Sequence, residues 1–298
     1  MTYTMPYNFG PLETPKGLKW LIFLTLTVSL ITALVDPVYI YFYHFPGLEY
    51  LFGLSREGLH QIFLWQPVTY LFVHDIWSGG ITLSFLITLG FNMYILWIVG
   101  AQICERLGTA NFVYFYIISG AIAGLLSLVA TPYNYILVGP WASLLAIFTL
   151  WAMLGPDHEV LLFFLIPIKV KWLFVCVTAA LLLITLSHLD LSSFILYFIA
   201  VLSAYLCGTV RWQLSAPFEF LHPFDRLLYR FNRLIHLKKQ DTATKIYDLR
   251  TGEPMMDDDL FVDTMLTKIA KFGEESLSWS ERKRLQEISI KKRHKSSN

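Results

Sequence analysis

A chain of 298 residues that is 55% hydrophobic, 16% aromatic and only 15% charged, with a mean hydropathy of +0.53, is too apolar for an ordinary soluble domain. Its formal net charge of +1 gives no electrostatic footing for a nucleic-acid partner. From Arg211 onward there are 17 Lys+Arg against 13 Asp+Glu, whereas the first 210 residues hold 6 and 9, so the composition predicts an apolar membrane body followed by a polar tail.

Six apolar runs, at roughly 18–35, 80–100, 111–130, 137–154, 172–188 and 192–210, read as spanning helices, because backbone inside a bilayer must satisfy its own hydrogen bonds. The first follows Lys16 and Lys19 without a small-residue cleavage site and reads as a retained span. The connection that follows, from Asp36 to about Tyr70, contains "YIYFYHFPGLEYLFGL". Pro37, Pro46, Gly47 and Glu49 interrupt it, so it is expected to lie in the membrane interface with its aromatic rings at headgroup depth. His74–Asp75 reads as an interfacial pair before the second span. "EVLLFFLIPI" (159–168) is too short to span and is broken by Pro167.

Lys16 and Lys19, Arg106, Lys169 and Lys171, and the tail from Arg211 fall on one side of this arrangement; Arg56 is the only cation of the other. The positive-inside rule then places both termini in the cytoplasm. Cys104, Cys176 and Cys207 have no metal-ligand spacing and read as buried free thiols. No Walker loop, dinucleotide-binding glycine pattern or zinc motif is present, so no cofactor and no metal are expected. The span centres are nearly free of ionisable residues, which argues against an ion or proton transporter. In the tail, 240–257 reads as a linker, and 258–290 as two short helices joined at Gly273–Ser278, with Gly273 as a left-handed stop and Ser278/Glu281 as a capping box. The basic clusters "RNRLIHLKK" and "KKRHK" are candidates for contact with anionic lipid.

Several short motifs occur in a telling order: "WQPVTYLFVH" (Trp65–His74), "FNMYILWIVGAQICERLG" with Asn92, Gly100, Glu105 and Gly108, "FVYFYIISGAIAG" (112–124) and "IPIKVKW" (166–172). Together they resemble the rhomboid family of intramembrane serine proteases, over residues 18–210. The segment 262–289 is similar to a two-helix segment at the C-terminus of some bacterial rhomboids. The resemblance implies an all-α fold: a six-transmembrane-helix rhomboid-like bundle with a small cytoplasmic α-helical tail. The corresponding division is a cytoplasmic N-terminus (1–17), a membrane domain (18–211), a cytoplasmic linker (212–257) and a helical segment (258–298).

Rhomboid chemistry needs a serine at the start of the fourth span and a histidine in the sixth, with a histidine and an asparagine of the second span holding the oxyanion. In the glycine–x–serine–x frame of "GPWA", Gly139 is present but Trp141 stands on the serine. Ser143 lies two residues on, about 200° around a helix, and reads as a packing residue. In "AVLSAYLCG" (200–208), Val201 stands on the histidine; His188 lies thirteen residues earlier, at a helix mouth. Asn92 keeps its oxyanion position while Thr88 replaces the partner histidine. The scaffold residues are kept: Gly120 and Gly124 in a GxxxG face, and Ala200, Ala204 and Gly208 in a small-residue stripe.

These substitutions imply a rhomboid-like pseudoprotease of the bacterial inner membrane. It would bind transmembrane or juxtamembrane segments of other membrane proteins without cutting them, with Gly139, Trp141, Val201, Asn92 and His74 as binding residues. Its other partner is the lipid bilayer, not nucleic acid. An active intramembrane serine endopeptidase with a different nucleophile, and a non-catalytic membrane scaffold, are the alternatives.

Overall fold

A computed structural model describes residues 13–43, 47–75, 80–133, 135–162, 166–229, 258–273, 275 and 277–295. The first helix, α1 (Lys16–Tyr43), is longer than the hydropathy predicts, because it continues through Pro37 instead of stopping at Asp36. Asp36 thus rides on a helix, and its carboxylate accepts from the backbone N–H of Leu48 (2.6 Å) and Glu49 (2.9 Å), capping the short helix α2 (Leu48–Phe52). The residues expected to form one interfacial element are split between the end of α1 and α2; residues 44–46 lie outside the described residues.

Two more short helices, α3 (Arg56–His60) and α4 (Gln66–Thr69), complete the connection. The polar members of the tryptophan–glutamine–threonine stretch stitch it together. Gln66, fully buried, accepts from Ser55 N–H (3.2 Å) and donates to the Tyr50 carbonyl (3.0 Å); Trp65 and Thr69 donate to the carbonyls of Leu51 and Phe52. Each of these bonds satisfies backbone that has no regular partner of its own. A 3₁₀ turn over Tyr70–Phe72 then buries all three side chains, and Tyr70 donates to the Gly120 carbonyl (2.6 Å).

The long helices α5 (Leu83–Leu107) and α6 (Thr109–Ser127) are joined at Gly108, whose φ of +85° makes the sharp reversal. After them come α7 (Trp141–Leu154), α8 (Val170–Ser187) and α9 (Leu191–Trp212). Among the described residues, five helices, α1, α5, α6, α8 and α9, are long and apolar enough to cross a membrane. The fourth expected span, α7, has only 14 residues, yet 11 of them are buried. It is the enclosed centre of the bundle and has little lipid-facing surface to match to the bilayer.

Small residues set the packing of α6, α7 and α9. A Cβ on Gly120 would stand 2.2 Å from Ser143 Oγ, and one on Gly124 would stand 2.7 Å from Tyr70 Oη. Gly208 takes Met153 and Leu150 of α7, and Ala200 and Ala204 are fully buried on the same stripe. Close backbone approach is what such stripes provide where no hydrophobic effect drives helices together. By contrast, α8 buries only Val170 and Thr185.

Three departures from the sequence reading have local causes. The segment expected to be merely too short to span forms a short antiparallel hairpin, β1 (Glu159–Leu162) and β2 (Ile166–Lys169), in an otherwise helical body. Asp157 anchors it with ion pairs to Lys169 (3.3 Å) and Lys171 (2.8 Å), which hold its carboxyl below the ordinary range. Cys104 is buried, but Cys207 is half-buried and Cys176 is exposed on α8. The membrane unit extends to Tyr229, past the expected boundary at 211. Residues 222–229 are helical, and Asp225 fastens them by accepting from Tyr205 (2.6 Å) and from Ala216 N–H (2.9 Å). The expected linker over 240–257 lies outside the described residues.

The C-terminal unit has its own small core. Helices α10 (Asp258–Phe272) and α11 (Trp279–Lys295) bury Phe261, Met265, Leu277 and Ile288 against one another. Gly273 sits at φ +81°. The capping box forms as its residues predict: Glu281 N–H donates to Ser278 Oγ (3.3 Å) and Ser278 N–H to Glu281 Oε2 (2.8 Å).

Candidate functional site at one end of the bundle

The N-termini of α5, α7 and α9 converge on a cavity of about 690 Å³. Thr82 caps α5 by accepting from Phe85 N–H, and Asp190 caps α9 by accepting from Ser193 N–H. At α7 the capping position is Pro140, which offers no side chain for the purpose. The strand-like stretch before it is tied down instead: Leu137 exchanges both backbone bonds with Leu54, and Gly139 N–H donates to the Tyr70 carbonyl (3.0 Å).

Trp141 opens α7 and lines the cavity, half-buried, beside Gly139. The glycine permits this: its φ is +105°, and a Cβ there would lie 2.8 Å from Trp141 Cδ1 and 3.1 Å from Nε1. The indole is folded back over the glycine. Thr88 and His74 also line the cavity, whereas Val201 and Asn92 do not. Val201 is half-buried on α9 and packs against the main core. Ser143 is fully buried, is not part of the lining, and donates to the Tyr116 carbonyl (2.7 Å). His188 ends α8 in an exposed position.

His74 is not the interfacial residue the sequence suggested. It is 3% exposed and bonded through both ring nitrogens, Nδ1 to Ser29 Oγ (2.8 Å) and Nε2 to Asn92 Nδ2 (3.0 Å). Proton counting fixes the tautomer. Ser29 has one hydroxyl proton, given to the Phe72 carbonyl (2.8 Å), so His74 Nδ1–H donates to Ser29 Oγ. Nε2 is then the acceptor for the Asn92 amide. Burial pushes the imidazole down to about 4, which matches a ring used neutral. This network ties the connection after α1 to α1 and α5. It also leaves Asn92 Oδ1 buried and without a partner.

The same end of the molecule carries carboxylates, of which the sequence reading had weighed only Asp75, as half of the His74–Asp75 pair. Asp75 and Asp190 line the cavity with Tyr135 and Tyr197. Burial, with the neighbouring charges of Asp75 and Asp36, pushes Glu49 up to about 7. The Tyr135 phenol is raised by burial and by the fields of Asp190, Asp75 and Glu49. Asp190 was recoverable as a helix cap preceding an apolar run. The approach of Glu49 to Asp36 depends on the extension of α1 and had no local signal.

No group of three or more His, Cys, Asp or Glu residues is placed to hold a metal among the described residues. A comparison with protein-family models matches the Rhomboid domain over residues 63–213. A search of curated proteins finds no match. The matched segment takes in the connection stitched by Gln66, the His74–Asn92 bond, Trp141 at the cavity and the small-residue stripe of α9, and with it the chain is shown to belong to the rhomboid family.

Proposed function

We propose that this rhomboid-family membrane protein is a pseudoprotease, which engages transmembrane segments of other proteins at the cavity without cutting them. One observation supports the reading: Trp141, the residue that the resemblance sets in the nucleophile's place, lines the cavity, and its indole offers no attacking oxygen. Among the described residues, the one histidine lining the cavity, His74, is a poor base, since both of its nitrogens are committed and its pKa is low. Val201, in the register of the family histidine, cannot take a proton. The fold is read as six spans, α7 included, with both termini cytoplasmic in a bacterial inner membrane. In this reading the oxyanion positions Thr88 and Asn92 are vestigial: the asparagine has become the anchor of His74.

One geometric observation favours the protease alternative. Ser29, His74 and Asn92 form a serine–histidine–asparagine chain. Ser29, however, is fully buried on α1, outside the cavity lining, and its proton is already given to the Phe72 carbonyl. A substrate carbonyl has no path to it.

A fluorophosphonate probe, applied to the purified protein in detergent, separates the readings. It should leave the protein unlabelled. Labelling that disappears in Ser29→Ala or Ser143→Ala would establish an active serine and sink the pseudoprotease reading. The double change Trp141→Ser with Val201→His should remain folded and gain no measurable proteolysis, because Thr88 leaves the oxyanion site incomplete.

A further inference from the structure

Away from the cavity, where α9 stops and α8 starts, a run of large apolar side chains stands exposed. A left-handed Gln213 (φ +54°) ends α9, and Leu214 N–H returns to the Gly208 carbonyl (3.0 Å), so the chain turns back on itself. The helical residues 222–229 are then pinned to the end of α9. Asp225, 2% exposed, accepts from Tyr205 and from Ala216 N–H, and Tyr229 donates to the Leu214 carbonyl (3.0 Å). Tyr205 lies about 10 Å before the end of a helix that is itself about 33 Å long. The segment is thereby held against the last turns of a membrane-crossing helix, at the depth of the membrane boundary and not out in bulk water. With Asp225 turned inward, the outer side of the segment presents Phe220, Pro223, Phe224 and Leu227, at the i, i+3, i+4 and i+7 spacing of one helix face. Phe220 is 72% exposed, Phe224 60% and Leu227 55%. Ring contacts run on from this stripe: Phe218 meets Phe220 at 5.7 Å and Trp172, in the first turn of α8, at 5.8 Å. Arg226 is exposed on its flank, and residues 211–239 hold six Lys+Arg against two Asp+Glu. Exposed aromatic and aliphatic side chains beside cations are unfavourable in water and suit the boundary between acyl chains and headgroups.

We infer that residues 218–229 are an anchor in the membrane interface: Phe220, Phe224 and Leu227 enter the acyl boundary of the leaflet, and Arg226 sits among the phosphates of anionic phospholipid. The inference rests on α8 and α9 crossing the bilayer and is independent of what the cavity binds. In the orientation proposed above this end faces the cytoplasm, whose leaflet carries anionic lipid. The apolar stripe supplies insertion and the cation supplies the lipid preference, the combination by which interfacial helices bind. Asp225 is the positioning residue: the two bonds it accepts set the rotation of the segment, so that the stripe points away from the helices. A second copy of the chain is the competing occupant, but four side chains fall well short of the roughly 800 Å² per partner that a stable protein interface buries.

The test uses the full chain in lipid nanodiscs, with Cys176→Ser and Cys207→Ser and with Cys104 left buried. Bimane, a small apolar fluorophore, is attached in turn at Glu219→Cys, Phe220→Cys, Phe224→Cys, Arg226→Cys and Leu227→Cys. Quenching by lipid brominated on its acyl chains should be about fivefold stronger at the three apolar positions than at 219 and 226. Quenching by aqueous iodide should follow the reverse pattern. Asp225→Ala, which releases the segment from α9, should flatten the contrast; a contrast that persists there would remove Asp225 from the proposal. Strong iodide quenching at the apolar positions would overturn the anchor. Shielding of those positions from both quenchers would mean that protein covers the stripe, and would overturn it equally. With the label at 224, brominated phosphatidylglycerol should quench about twofold more than the same fraction of brominated phosphatidylcholine, and Arg226→Gln should abolish the difference. Equal quenching by the two lipids before that change would overturn the role given to Arg226.

Discussion

The indole of Trp141 rests against the backbone of Gly139, so closely that a β-carbon on the glycine would sit 2.8 Å from the ring. The pair explains how a bulky residue is accommodated at the start of α7: the ring takes the space above a residue that has no side chain. Gly139→Ala should therefore lower stability by about 1–3 kcal/mol, from backbone strain at φ +105° and from the clash. Adding Trp141→Ser should restore only the part due to the clash. Thermal unfolding followed by intrinsic fluorescence reads both; an unchanged Tm in Gly139→Ala would show that the indole is not held there.

Ser143 is expected to behave as a packing residue. Ser143→Ala should cost about 1 kcal/mol, the usual worth of a buried hydrogen bond, with the Tyr116 carbonyl losing one of its donors and keeping that of Ser119. Gly120→Ala should cost more, because its β-carbon would stand 2.2 Å from Ser143 Oγ across the α6–α7 contact. The pair Gly120→Ala with Ser143→Gly should recover part of that loss. Strict additivity of the two changes in a double-mutant cycle would mean that the helices do not meet here.

Two groups give opposite pH dependences over nearly the same window. His74 has a pKa lowered from its ordinary 6.5 to about 4, so the unfolded chain binds the proton first on acidification. Its contribution is complete above pH 6.5 and is lost as the pH falls toward 4. Glu49 is raised from 4.5 to about 7, so the folded chain holds the proton longer. Stability from this group is greatest below pH 4.5 and declines as the pH rises to 7. Glu49→Gln should leave a Tm that climbs from pH 4 to 6.5, and His74→Gln one that falls from pH 4.5 to 7. Identical pH profiles in the two variants would contradict both assignments.

The C-terminal helix pair depends on one carboxylate. Glu281 accepts from Lys268 Nζ (2.9 Å) and from Ser278 N–H, and these bonds hold it below the usual range. Glu281→Ala should speed amide exchange at the start of α11 and lower the stability of the small unit by about 1 kcal/mol, a typical value for a helix cap. Exchange rates unchanged at residues 278–283 would remove the capping box from the account.

The glycine and alanine stripes were legible in the sequence because their spacing follows the helix period and their purpose is close approach. The two tail helices were legible because capping boxes and left-handed glycine stops are local codes. The hairpin at 159–169 was not: a short apolar run has no period that separates a strand from a broken helix, and the salt bridges to Asp157 that hold it come from outside the run. The end of α1 was misread because a proline usually stops a helix, and nothing nearby announces that Asp36 will cap a later one. At the site, Gly139, Trp141, Thr88 and His74 do meet at the cavity, whereas Val201 and Asn92 stand behind it. Asn92 has a partner that no local signal announced: its amide donates to the His74 ring at 3.0 Å.

The shortness of α7 has a consequence for the surrounding lipid. Fourteen residues at 1.5 Å each give a helix of about 21 Å, against a hydrocarbon layer of about 30 Å. With one end near a headgroup plane, the other stops several ångströms inside the hydrophobic slab. There the chain is no longer helical, and its peptide groups are served by the Leu54–Leu137 exchange and the Tyr70 carbonyl. Hydrocarbon cannot solvate the aspartates, hydroxyls and phenols gathered at that depth. At such a depth they would draw water inward with them, a small well of solvent below the headgroup plane whose floor anything docking there would meet before it met the helices.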